Sequence, residues 1–141
     1  MTAQIREILI YKGKRNGLYT EPLKEYLKKR ENVKFIFKST AMWRGYVCKW
    51  EIKNNKLYLI WLLGFIEGNK QVDLSYLFPN KKEVFADWYT GELQIPLGEI
   101  LKRINLGYES KYEKDLFLKF KDGVLISERE IDNREEFKKK K

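Results

Sequence analysis

Arg44 is the residue of this sequence best equipped for specific chemistry. It lies in the stretch from Ala41 to Leu63, AMWRGYVCKWEIKNNKLYLIWLL, where strand alternation sets it on one face with Tyr46, Cys48, Trp50 and Ile52. A guanidinium offers five donors in a planar fork that matches carboxylate or phosphate, and it stacks on aromatic rings. Among aromatics it is either paired inside the fold or open to an anionic ligand, because a desolvated guanidinium without a partner is too costly to keep. Asp87 is the expected partner, since it sits between Phe85 and Tyr89 in a later strand of similar character. Arg44, Tyr46, Trp50, Asp87 and Tyr89 therefore form the first candidate constellation: a structural pair bracketed by rings, or a ligand site.

Two further groups merit attention. Tyr108, Ser110 and Tyr112 fall in YESKYEK, read as a loop after Gly107 whose hydroxyls and lysines could meet a ligand or simply connect two strands. Lys12, Lys14, Arg15, Lys24 and Lys28 form a basic arm and helix, with Tyr11, Tyr19 and Tyr26 nearby, that could track phosphates or be a solvated surface. The GKRNG segment from Gly13 to Gly17 lacks P-loop spacing and reads as a basic turn. Asp87, Glu92, Glu109 and Glu113 are the carboxylates available for acid–base catalysis, but nothing in their spacing brings two together.

Composition narrows the chemistry. The 141 residues contain no histidine and a single cysteine, Cys48. That removes Ser-His and Cys-His nucleophile pairs, His-based zinc sites and intrachain disulfides. No cofactor and no metal are expected. The net charge of +9 is carried by residues 1–70, where 15 Lys and Arg face 6 Asp and Glu, whereas residues 71–141 balance at 14 against 14. Such asymmetry points to an anionic partner or to a well-solvated basic surface. The longest apolar run, Leu57 to Ile66, is half the ~20 residues of a membrane helix. The N-terminus has no signal-peptide pattern, so a cytoplasmic protein with no membrane partner is expected.

The elements that must position these groups follow from periodicity. Residues 4–11 read as a strand. Thr20 and Pro22 introduce a helix over about 21–30, with Leu23, Tyr26 and Leu27 packed down. Residues 33–38 read as a strand. The central hairpin turns at Asn54-Asn55, and its second strand places Leu57, Leu59, Trp61 and Leu63 opposite Tyr58, Ile60 and Leu62. With both faces apolar, that strand is expected to be covered on both sides. Asp73 caps a helical turn that Pro79 ends. Residues 83–89 read as a strand, Leu93 and Ile95 point inward on a short strand, and Pro96 closes it or marks an edge. Residues 97–106 carry both helical and strand spacing, and strand is preferred from about Leu101. Asp122-Gly123 joins the strands 115–121 and 124–130.

The segments STAMWRGYVCKWEIKNNKLYL (39–59) and FADWYTGELQIPLGEILKRINLGYESKYEKDLFL (85–118) resemble an uncharacterised family of small bacterial proteins. The resemblance spans the chain from Ser39 to Phe120 and implies no activity and no site residue. Small lone domains of this kind can serve as immunity or counter-defence proteins.

The expected architecture is a β-rich α+β domain over 1–133 with a charged tail at 134–141. Its mostly antiparallel sheet is expected to curl into a barrel or sandwich with one packed N-terminal helix. The expected function is non-catalytic binding of an anionic partner, either an acidic protein surface or a phosphate-bearing small ligand. Nucleic-acid binding is the alternative, and a carboxylate-dependent enzyme is the third reading.

Overall fold

The computed structural model describes residues 5–18, 20–36, 39, 41–102 and 111–134, with the side chains of 99–102 and 111 left aside. It is β-rich, and nine strands form one mixed sheet. The strands are β1 (Glu7–Tyr11), β2 (Lys14–Leu18), β3 (Tyr46–Lys53), β4 (Lys56–Ile66), β5 (Lys70–Asp73), β6 (Val84–Phe85), β7 (Gly91–Lys102), β8 (Lys111–Lys121) and β9 (Val124–Asp132). The main path runs β2-β1-β3-β4-β9-β8-β7, with β5 and β6 added to the free side of β4. Every pairing is antiparallel except β1 with β3, which is parallel.

The expected closure into a barrel does not occur. The end strands β2 and β7 come within 8 Å between Cα atoms, but no ladder joins them. The two halves of the path meet where Lys56 faces Val124, supported by bonds from Leu57 N to Gly123 O and from Leu125 N to Asn55 O. From that corner both halves contribute to one core, in which Leu9, Cys48, Trp50, Leu57 and Leu59 pack with Leu93, Ile95, Leu118 and Phe120.

Three two-residue hairpins set the register. Lys12-Gly13, Asn54-Asn55 and Asp122-Gly123 all have positive φ at both positions, the backbone that matches the right-handed twist of the flanking strands. The last two agree with the sequence expectation. The first corrects the reading of GKRNG as a turn, since Lys14 to Gly17 belong to β2.

The expected helix over 21–30 shortens to α1 (Leu23–Leu27), because Pro22 takes the cap position without a side-chain cap bond and the chain then tightens through Lys29 N to Tyr26 O and Arg30 N to Leu27 O. The helical turn α2 (Leu74–Leu77) is capped by the Asp73 side chain, as expected. Residues 33–36 form no regular strand and are tied by Ile36 N to Phe65 O. The strand expected at 83–89 is cut to β6, because Ala86 N bonds Leu57 O and Tyr89 N then folds back to Ala86 O. Pro96 sits within β7, which is an edge strand. Strand continues to Lys102 through two register shifts, so 97–102 is not helical, and 103–106 lie outside the described residues.

β4 holds the main departure from simple alternation. Trp50 faces Leu59 and Lys49 faces Trp61, so Ile60 is an extra residue, a β-bulge. The bulge swaps the phase of the strand. Leu57, Leu59 and Leu62 are buried, whereas Trp61, expected beside Leu57 and Leu59, points to the opposite face and is 39% exposed.

Glycine tolerance distinguishes two of the hairpins. A Cβ at Gly123 would stand 2.5 Å from Ala86 O, while one at Gly13 would meet nothing within 4 Å. Both residues have positive φ. Gly13→Ala should therefore cost about 1 kcal/mol from backbone strain alone, and Gly123→Ala about 2–4 kcal/mol, as read by urea unfolding. Equal losses would contradict the packing of the Asp122-Gly123 turn against β6.

Candidate functional site

Arg44 lies in the turn that precedes β3, where Gly45 has φ +78° and a Cβ would stand 2.0 Å from Ile36 O. That tight approach aims the Arg44 side chain back across the start of β1. One terminal guanidinium nitrogen lies 3.3 Å from Glu7 Oε2 and 3.2 Å from the Ile5 carbonyl, Nε lies 3.5 Å from Glu21 Oε1, and the group stands 5.2 Å from the Tyr46 ring centre. The side chain is only 12% exposed. Glu7 is fully buried, and its second oxygen accepts a 2.8 Å hydrogen bond from the Trp50 indole nitrogen.

Arg44 comes together with Tyr46 and Trp50, though from a turn and not from the strand expected to carry it, and the carboxylates are Glu7 and Glu21 in place of Asp87. Asp87 is exposed in the turn after β6, and Tyr89 packs against Phe120 with its hydroxyl donating to Glu92 O. Neither makes a hydrogen bond or ion pair with Arg44. Glu7 was legible in principle, because it shares strand parity with the buried Leu9 and so belongs to the core face of β1. Its partner lies 37 residues away through a parallel pairing, which no local pattern signals.

Two carboxylates share one guanidinium here, so the cluster carries an excess negative charge if both ionise. Burial raises the Glu7 carboxyl to about 7; Arg44 and the Trp50 hydrogen bond oppose the rise, and Glu21 adds to it. Burial also pushes up the Tyr46 hydroxyl and the Cys48 thiol, which sits beside Glu7. Cys48 is therefore a protonated, enclosed thiol and a poor nucleophile. Burial lifts Tyr89 to about 12.

The remaining expected residues are dispersed. Tyr112 is on β8 and not in a loop; it receives a hydrogen bond from Arg6, whose guanidinium lies 4.9 Å from its ring centre. Tyr108, Ser110 and Glu109 lie outside the described residues. Glu92 is held by Arg129 through two bonds of 3.1 and 3.2 Å, and Glu113 lies 3.9 Å from Arg134. No group of three or more potential metal ligands occurs among the described residues. Lys12, Lys14 and Arg15 stand at the β1–β2 hairpin tip, whereas Lys24 is on α1 and Lys28 at its C-cap, in the segment that follows the other end of β2. Lys28 is engaged by Glu25 at 3.3 Å.

A different surface gathers cations and rings, and it arises from the sheet itself. The face of β1, β3 and β4 turned away from Leu9 and Trp50 presents Ile8 and Ile10, then Lys49, Glu51 and Lys53, then Tyr58 and Trp61. Arg15 extends it from β2, opposite Ile10. Lys49 Nζ lies 4.6 Å from the Trp61 ring centre, Lys53 Nζ 4.9 Å from Tyr58, and Lys56 Nζ 5.6 Å from Phe85 of β6. The upper end of this face is covered by Met42, Val47 and Phe65 with Ile36 and Leu63. The lower end, around Trp61 and Tyr58, carries no further layer among the described residues, which corrects the expectation that β4 is covered on both sides. Sequence reading missed Trp61 because the bulge that turns it outward leaves no mark in a run that is apolar at every position.

The Glu7 cluster makes two measurable demands. The folded state holds the Glu7 proton more tightly than the unfolded chain, whose value is near 4.5, so stability from this group is highest below that pH and falls as pH rises toward 7. The loss should amount to about 3 kcal/mol between those limits. Glu7→Gln should lack that slope, so the difference between the two proteins' stability–pH curves should display it. In addition, Arg44→Met should destabilise by about 3–5 kcal/mol, and Arg44→Met with Glu7→Leu should recover much of it. Strict additivity in urea melts would show that the two side chains are not coupled.

No protein-family model matches the chain, and neither a curated protein nor a solved structure matches it. The resemblance read from segments 39–59 and 85–118 gains nothing from these comparisons, and function must be argued from the geometry.

Proposed function

We propose that this chain is a non-catalytic binding protein for an anionic partner, and that the partner engages the open lower face of β1, β3 and β4. The observation that supports this most is the row of three lysines, Lys49, Lys53 and Lys56, each set over an aromatic ring on that face. An ammonium over a ring keeps its charge at the surface, while the ring supplies area for a ligand to lie against. Arg15 adds a fourth cation, and Lys12 and Lys14 continue the charge at the hairpin tip. This reading moves the contact from Arg44, which Glu7 and Glu21 already engage, to side chains that reach solvent. The enclosed Cys48 and the ion-paired Glu92 favour binding over catalysis.

The test is charge reversal read against salt. Linear polyphosphate should bind wild type with an affinity that falls steeply as salt rises. Lys49→Glu with Lys56→Glu should weaken binding at least about tenfold and flatten the salt dependence by roughly two phosphate contacts. Lys119→Glu, on β8 of the other half of the sheet, should change it little. An effect of Lys119→Glu as large as that of the Lys49 and Lys56 reversals would remove the open face as the contact surface.

A further inference from the structure

We infer that the partner of the open face is single-stranded nucleic acid, its bases stacked on Trp61 and Tyr58 and its phosphates met by the surrounding lysines. The inference rests on the open face being the binding surface and names what that surface recognises. In a regular strand Tyr58 and Trp61, three residues apart, would project from opposite faces. The bulge at Ile60 places both on the open face, Tyr58 across from Glu51 and Trp61 across from Lys49. Bulges commonly re-aim a side chain at functional positions. Here the bulge turns a tryptophan into solvent and sets it beside a second ring, at a separation of roughly 7–10 Å along the strand.

That pairing discriminates between anions. An acidic protein surface offers carboxylates but has no need of an exposed tryptophan beside a half-buried tyrosine on a sheet. A duplex offers phosphates but keeps its base faces stacked inside. A single strand presents charge and flat π surfaces together along its length, and every base can stack on an aromatic ring. The lysines over the rings are on flexible four-carbon stems, so a base that takes the ring face displaces an ammonium toward its own phosphate. The carboxylates on this surface restrict the path of the backbone. Glu51 lies opposite Tyr58, and Glu83 is bonded to Lys53. The phosphates are therefore expected over Lys49, Lys56 and Arg15, with the bases turned toward Trp61 and Tyr58.

The experiment uses the full chain and labelled oligonucleotides of about 12 nucleotides, a length within the range one sheet-based module covers. Oligo-dT and oligo-U are compared with a duplex of the same length, linear polyphosphate and polyglutamate, by fluorescence anisotropy. Single strands should bind at least about tenfold more tightly than the other three, and the dT-to-U ratio tells DNA from RNA. Trp61→Ala, at an exposed position, should weaken single-strand binding about 5- to 100-fold, weaken polyphosphate binding far less, and be largely rescued by Trp61→Phe. If the duplex or polyphosphate binds as well as the single strands and Trp61→Ala has no effect, this inference fails while the anion-binding face stands. Tighter binding of polyglutamate would overturn it in favour of an acidic protein. If Lys49→Glu with Lys56→Glu changes binding of none of them, the open face itself is wrong.

Discussion

Glu7 places a carboxyl on the core face of β1, between strands that otherwise bury leucine, cysteine and tryptophan. An unpaired charge there would cost several kcal/mol, so the surrounding chain has to supply donors. Trp50 supplies one from β3, and Arg44 supplies another from the turn that leads into β3. Arg44 in turn draws in Glu21 from the segment ahead of α1 and the carbonyl of Ile5. One buried acid thus ties together the parallel β1–β3 pairing, the entry to β3 and the approach to α1. These segments are distant in sequence and share no hairpin. Three antiparallel pairs, β1–β2, β3–β4 and β8–β9, are closed by tight turns, whereas the parallel pair is braced by the cluster.

The rest of the core is secured by shape. Gly64 lies across from Tyr46, and a Cβ there would stand 2.4 Å from the Phe35 ring, so the absence of a side chain is what lets Phe35 lie against Tyr46 at 5.0 Å between centres. Trp88 is packed against Tyr26 and Phe78 and donates to Pro22 O, which joins the turn after β6 to the start of α1. At the far end of β8 a second polar knot is closed without an arginine. Asp115 accepts from Gln94 and Asn133, and Asn133 also donates to Tyr112 O, so every oxygen of the buried acid has a donor.

Local chemistry was legible in the sequence and long-range pairing was not. Asn54-Asn55 and Asp122-Gly123 announce their hairpins because those residue types adopt positive φ at low cost. The Asp73 cap and the edge position of Pro96 are equally local. The alternation held for Tyr46, Cys48 and Trp50 because β3 carries no extra residue, whereas Arg44 joins them from the turn before β3, where the positive φ of Gly45 sets its direction. Lys12 gave no such signal, since lysine seldom adopts a left-handed backbone and does so here because the twist of β1 and β2 demands it. The strand expected at 83–89 had the right alternation, but its hydrogen bonds were consumed by β4 and by its own turn after two residues. The carboxylate that answers Arg44 could be narrowed to the core faces of strands, but choosing Glu7 over Asp87 required knowing that β1 lies beside β3. For the proposed contact face, net charge pointed to the half of the chain that carries β1 to β4, while the particular rings depended on a register shift.

That shift has a meaning in chain length as well as in geometry. Removing Ile60 from β4 on paper leaves Leu57, Leu59 and Leu62 on one side and Tyr58 and Trp61 on the other in unbroken alternation, with each cross-strand partner on β3 unchanged. Ile60 is thus one residue more than the pattern of side chains requires. What the supernumerary residue adds is curvature, because a bulge bends its strand and increases local twist. It lies within the bare stretch, between Tyr58 and Trp61 and short of the part of β4 roofed by Met42, Val47 and Phe65. A chain without this residue would therefore keep one core and one set of strand neighbours and differ in how far the bare half tilts away from the roof.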